Sequence, residues 1–187
     1  MGEMAQKIVK LDLDQLLKVL NEAFAEEWLA YYQYWIAVKV AMGLQRSDIV
    51  REFSEHAKEE LQHADWVAER IIQLGGTPIL TPDDWSKTAE CKYITPTKFD
   101  VLSLLHDNLA AERCAIERYK KLCDMTDNTD YETFRMSREI LQQEIEHEQE
   151  LEDFLDDLET AKEFMNSYLT SFPRIAEYNK KVISYLK

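Results

Sequence analysis

Two tetrapeptides carry the most specific chemistry in this chain, Glu60-Leu61-Gln62-His63 and Glu144-Ile145-Glu146-His147, both Glu-x-x-His. On a helix, positions i and i+3 share one face, so a carboxylate and an imidazole can reach neighbouring positions on one metal pair. One such motif says little in a chain with 22 glutamates among 187 residues, but two of them use half of the four histidines. The motifs also belong to an internal repeat. Glu27 is followed seven residues later by Tyr34 and 33 residues later by Glu60; Glu112 is followed seven residues later by Tyr119 and 32 residues later by Glu144.

Glu27, Glu60, His63, Glu112, Glu144 and His147 interrupt otherwise apolar helical stripes. Leu20, Phe24, Glu27 and Tyr34 form one stripe, and Phe53, His56, Glu60, His63 and Val67 another. Leu105, Leu109, Glu112 and Tyr119 form a third, and Ile140, Glu144, His147 and Leu151 a fourth. In antiparallel pairs the interruptions meet at one level. Buried carboxylates without compensation cost several kcal/mol each, so they must be protonated or must bind cations. Four carboxylates are neutralised by two divalent ions. Mixed carboxylate and imidazole donors suit iron or manganese better than calcium, which prefers oxygen alone. The bland alternative is a set of salt-bridged core acids that happen to align.

The elements that must position these residues are four amphipathic helices, read from apolar residues recurring at three and four positions. The spacing predicts helices from about Asp12 to Leu44, from N-caps at Ser47 or Asp48 to Gly75-Gly76, from Thr97 to Asp124, and from a Thr129–Glu132 capping box to about Ser167. A shorter helix is expected from Pro173 to near Leu186. The connections read short, long, short. That pattern predicts an all-α antiparallel four-helix bundle with one long crossover between the second and third helices, which then lie parallel. The expected organisation is a single domain over 1–187, with the bundle at about 12–168 and a C-terminal extension at about 169–187.

Composition narrows the function. With 22 Lys+Arg against 36 Asp+Glu, the net charge is −14, and no basic stripe offers itself to nucleic acid. No 18-residue apolar run exists to span a membrane, and the charged N-terminus lacks a secretion signal, so the cytoplasm is the expected compartment. The acidity serves solubility or gathers cations.

The segments EWLAYYQY, EELQHADWVAERIIQLGGTP and ILQQEIEH resemble the ligand-bearing stretches of bacterioferritin and its relatives over roughly residues 15–160. The resemblance implies that Glu27, Glu60, His63, Glu112, Glu144 and His147 hold two iron ions per subunit, with manganese or zinc as substitutes. Glu60 and Glu144 would bridge, and Tyr34 and Tyr119 would orient the carboxylates by hydrogen bonds. Where bacterioferritins place a haem-ligating Met after the bridging Glu of the second helix, this chain has Leu61, which implies no haem. The Cys-x-x-Cys iron module of rubrerythrins is absent. The sequence is most similar to the Dps-like mini-ferritins called thioferritins. They combine a bacterioferritin-type site inside one subunit with a nearby cysteine pair, a hollow twelve-subunit shell, and hydrogen peroxide as the favoured oxidant. The function so implied is ferroxidase activity with iron storage and detoxification under oxidative stress, using Fe2+ with peroxide or oxygen. The alternative is a di-iron or di-manganese peroxidase or catalase-like enzyme that forms no cage.

Three cysteines remain. Cys114 and Cys123 lie nine residues apart on one helix, too far to bond unless the helix breaks. Either all three are thiols in a reducing compartment, or Cys91 in the crossover pairs with Cys114 as a redox-active couple. His56, one turn before Glu60, reads as a hydrogen-bonded core histidine or as a third-metal ligand. His106 falls off the ligand face.

Overall fold

The computed structural model describes residues 3–171; the helix expected after Pro173 lies outside them. The elements are α1 (Glu3–Lys7), α2 (Leu13–Val40), α3 (Arg46–Gln73), α4 (Trp85–Thr88, preceded by a 3-10 turn at Pro82–Asp84), α5 (Val101–Thr126) and α6 (Tyr131–Ser171). The described residues divide into one compact unit through Leu151 and a second from Glu152. The first holds the four-helix bundle. Among the described residues no helix is long and apolar enough to cross a membrane.

Asp12 caps α2 as the sequence suggests, its carboxylate accepting from the Gln15 amide at 3.0 Å. The helix stops at Val40, short of the expected Leu44. The cause is pairing: Met42 N–H donates to the Phe99 carbonyl at 2.8 Å, and Val101 N–H donates to the Met42 carbonyl at 3.1 Å. Both bonds require Met42 to leave the helix. Neither Ser47 nor Asp48 caps α3. Gln45 heads it in a left-handed conformation (φ 59°) without a side-chain cap, because the chain must reverse within the few residues left after that pairing. At the far end Gly75 takes φ 80° and closes α3 as expected. Gly76 lies so close to α2 that a Cβ there would meet Leu17 Cδ2 at 2.5 Å.

The crossover returns along the bundle and delivers α5 beside the α2–α3 turn, which makes α3 and α5 parallel. It is more ordered than its proline-rich sequence suggests, since Trp85 of α4 stacks on Trp28 of α2 at 4.9 Å. Asp100 caps α5 through Ser103 N–H, three residues later than Thr97. The fourth helix starts on Asp130 rather than on a Thr129–Glu132 box. Asp130 accepts from Thr133 N–H at 3.2 Å while its carboxylate binds Arg70 of α3 at 2.7 Å. The capping carboxylate therefore also ties α6 to α3, and all three side chains are buried.

Leu16, Leu20, Val67, Ile71, Leu122 and Ile140 pack one end of the core; Ile49, Phe53, Leu104 and Leu105 are fully buried at the other. Each such side chain contributes about 1.5–3 kcal/mol. Between the two apolar ends lies the polar level.

Candidate metal centre

All six residues singled out from the sequence converge there, and none is more than 2% exposed. Each helix supplies its share because the apolar positions above and below fix which face points inward. The donors form two groups whose ligand atoms lie within 4.8 Å of one another: Glu27, Glu60, His63 and Glu144, and Glu60, Glu112, Glu144 and His147. Glu60 and Glu144 belong to both. Glu60 directs Oε2 to 3.3 Å from His63 Nδ1 and Oε1 to 3.5 Å from His147 Nδ1. Glu144 does the same with Oε1 at 3.1 Å and Oε2 at 3.6 Å. Each histidine also has one private carboxylate, Glu27 beside His63 (3.4 Å) and Glu112 beside His147 (3.7 Å).

The surrounding hydrogen bonds cross between the halves. Tyr34, from the first half of the repeat, donates to Glu112 of the second, and Tyr119 donates to Glu27. Burial, with Glu112 for Tyr34 and Glu27 for Tyr119, holds both phenols protonated and therefore donors. His63 Nε2 meets Gln143 Oε1 at 2.7 Å, and His147 Nε2 meets Glu59 Oε2 at 2.8 Å. These outer partners set Nε2 as the proton-bearing atom and leave Nδ1 for the centre.

The electrostatics of the cluster follow from its burial. Burial pushes the Glu27 carboxyl up to about 8, and burial together with Glu60 and Glu112 raises Glu144 well above the usual range. For His63 and His147, burial opposes charge but is outweighed by the surrounding carboxylates, so both imidazoles are raised. For Glu60, burial would raise the carboxyl, but the adjacent His147 and His63 imidazoles outweigh it and lower it. Buried together, the carboxylates raise one another and favour charge on the two imidazoles. Even so, Glu27 Oε2, Glu60 Oε1, both Glu144 oxygens and His147 Nδ1 are buried without a hydrogen-bond partner. Orphaned acceptors at this density are costly in an apolar bundle. All five face the space between the halves, where two divalent cations would satisfy them.

The two flanks differ. Toward the crossover segment that follows α4, a cavity of about 30 Å³ is lined by Glu27, Glu60, Tyr119 and Cys91. Cys91 is disulfide-bonded to Cys114 with a Cα–Cα distance of 5.8 Å, so the pairing alternative holds for those two cysteines, while Cys123 is a buried free thiol. Glu26 Oε1 places that segment of the crossover by accepting from Glu90 and Cys91 N–H at 2.7 and 3.1 Å. Gln33 accepts from Ile94 N–H at 2.9 Å, and Arg118 holds Glu26 at 2.8 Å. The opposite flank, between α3 and α6, opens into a cavity of about 150 Å³ lined by Glu52, Glu55, His56, Glu59, His147 and Glu150. His56 is buried there with its ring stacked on His147 at 4.0 Å, and its Nε2 lies 2.9 Å from Glu150. It is hydrogen-bonded, and it also falls into a group with Glu52 and Glu150 that could hold a cation. His106 is exposed and stands apart.

Sequence reading missed Glu26, Gln33, Arg118, Glu59 and Gln143. A signal existed for the last two, since each immediately precedes the glutamate of a Glu-x-x-His motif.

A bundle whose long crossover makes its second and third long helices parallel has the topology of the ferritin-like proteins. The chain belongs to that family: residues 17–161 match the ferritin-like domain. It is 34% identical over 150 residues to the DNA protection during starvation protein of Pyrococcus furiosus, a match covering 78% of this chain and 79% of the relative. The dodecameric thioferritin of Bacteroides fragilis, a bacterioferritin-related protein, superposes with a TM-score of 0.85 at 48% identity, covering 87% of this chain and 98% of that one. A ferritin-like diiron-carboxylate protein of Bacillus anthracis superposes with a TM-score of 0.66 at 26% identity, covering 76% and 96%. The resemblance to Dps-like mini-ferritins read from the motifs is borne out.

Proposed function

We propose that the protein is a ferroxidase that takes up two Fe2+ per subunit between Glu27, Glu60, His63, Glu112, Glu144 and His147, and stores the ferric product inside a homo-oligomeric shell of twelve subunits. The observation that carries this reading is the pair of four-donor groups sharing Glu60 and Glu144. Two ferrous ions held together supply two electrons at once, enough to reduce one hydrogen peroxide to two waters with uptake of two protons, and no single-electron product leaves the site. The protein's part is placement and charge. Glu60 and Glu144 face both positions, Glu27 and Glu112 each serve one, and Tyr34 and Tyr119 hold those two carboxylates in orientation. The acidic cavity beside His147 draws cations toward the centre. Manganese or zinc would fit the same donors.

The twelve-subunit shell rests on likeness to the dodecameric thioferritin, and the preference for peroxide on the resemblance of the motifs to thioferritins. A cytoplasmic setting goes with this reading; there the Cys91–Cys114 bond would be exchangeable rather than a permanent staple.

The test is anaerobic ferrous oxidation with limiting peroxide and, separately, with air, following ferric absorbance and particle mass. Two irons oxidised per peroxide, with ferric iron accumulating in a particle of several hundred kilodaltons, supports storage. Turnover by a small oligomer that retains only two metals would make the protein a di-iron or di-manganese oxidoreductase instead. Absence of oxidation with either oxidant would overturn the ferroxidase reading.

A further inference from the structure

The two half-sites share a framework but differ in what stands behind each imidazole. His147 Nε2 lies 2.8 Å from a carboxylate oxygen of Glu59, and His63 Nε2 lies 2.7 Å from the amide oxygen of Gln143. Both Nδ1 atoms face the shared carboxylates, so a cation held at Nδ1 would leave the ring proton on Nε2, where it donates to the outer partner. The other donors of the two four-residue groups are matched, one private glutamate per half, each fixed by a tyrosine from the other half, and two shared glutamates; His56 stands as a further donor beside Glu112 and His147.

A hydrogen bond to a carboxylate is about twice as strong as one to a neutral acceptor. The negative charge behind the ring makes the opposite nitrogen a better electron donor. An amide oxygen does neither to the same degree. The surroundings run the same way. His147 lines the acidic cavity of about 150 Å³, together with both Glu59 and Gln143, whereas the His63 ring has Trp66 as its neighbour at 5.8 Å.

We propose that Glu59 and Gln143 are positioning residues that make the two half-sites unequal, so that the His147 half takes the first divalent cation and the His63 half the second. The inference rests on the dinuclear reading above and adds an order of filling to it. A cation arriving through the acidic cavity meets the stronger imidazole donor first. The second ion enters against the charge of the first and with only an amide behind its histidine, which makes the His63 half the exchangeable one.

The test is an anaerobic titration of the assembled protein with Co2+, which does not turn over, followed by its visible absorption. The wild type is expected to bind two equivalents per subunit in two steps. Repulsion between cations would also separate the steps, so the deciding result is which step each substitution moves. Glu59→Gln should weaken the first step by about ten- to a hundredfold and leave the second in place. Gln143→Glu should tighten the second by about tenfold or more and leave the first. His56, the other unrepeated neighbour, is unchanged in both variants, and unaltered thermal unfolding excludes a merely structural effect. If Glu59→Gln does not fold, Gln143→Glu alone decides. Two indistinguishable steps in the wild type, or substitutions that move both steps equally, overturn the proposal and leave the dinuclear centre standing. Failure to bind two equivalents at all removes the dinuclear reading and this inference with it.

Discussion

The first half of the bundle, α2 with α3, and the second half, α5 with α6, present the same donors in the same order, yet they are not copies. Glu27, Tyr34, Glu60 and His63 correspond to Glu112, Tyr119, Glu144 and His147, and every outer hydrogen bond crosses from one half to the other. The residues that differ are the ones behind the ligand set: Glu59 against Gln143, and His56 beside His147 against Trp66 beside His63. On the proposed reading, repetition makes a place for two cations, and the departures from repetition make the two places different. Because each half orients the other's donors, neither half would form a competent site alone.

The comparison breaks most completely where the halves share a residue. Glu60→Ala or Glu144→Ala removes a donor from both groups and should reduce rapid ferrous oxidation by about a hundredfold or more in stopped-flow absorbance. The thermal midpoint should hold or rise, because a buried charge cluster is relieved. Full activity in either variant would show that the two groups do not act as one centre.

Next in size is the tie between α3 and α6. Asp130→Ala leaves the buried Arg70 guanidinium without its carboxylate and should cost about 3–5 kcal/mol in denaturant unfolding. For Asp130, burial would raise the carboxyl, but hydrogen bonds from Arg70 and Thr133 outweigh it and hold it below the usual range. A folded-state pKa that is lowered gives stability that is complete above the unfolded value of about 3.9 and is lost as pH falls through the folded value. Wild type and Asp130→Asn should therefore differ in melting temperature at neutral pH and converge in acid.

The crossover belongs to neither half, and it offers a separate handle. Cys91→Ser opens a loop spanning a sequence separation of 23 and should lower stability by about 3 kcal/mol, measured by denaturant unfolding under oxidising conditions. Cobalt binding at the centre should change little, since neither cysteine contributes to the donor groups.

The tyrosines sharpen the comparison most finely. Tyr119→Phe should weaken binding in the His63 half, where Glu27 loses its donor, and Tyr34→Phe in the His147 half, each by about tenfold. The weakening should appear in the half opposite the mutated helix's own motif in a cobalt titration. An effect on the same half would contradict the crossed pattern.

Much of this was legible because the donors interrupt apolar stripes. A buried glutamate in a helix is expensive, so four of them at one level, two with a histidine three residues on, announce a site before any packing is known. The parallel placement of α3 and α5 followed from the lengths of the connections. The helix starts were less legible. Ser47, Asp48 and Thr129 are all competent caps, but the early exit forced by Met42 pairing left Gln45 to turn the chain, and Asp130 was claimed by both Arg70 and Thr133. Local propensity does not know about partners 60 residues away. The choice of Cys91 for Cys114 likewise depends on Glu26 and Gln33 seizing crossover amides. Glu59 and Gln143 were hidden for another reason: both occur one position outside the motif, where surface residues also occur.

The central claim is that Glu60 and Glu144 bridge two metal positions, and the most direct measurement is anomalous diffraction at the iron edge from crystals soaked anaerobically in Fe2+. The account predicts two peaks about 3.5–4 Å apart, each within bonding distance of Glu60 and Glu144 and one beside each histidine. A single peak between the carboxylates, or iron found only in the acidic cavity, would contradict it.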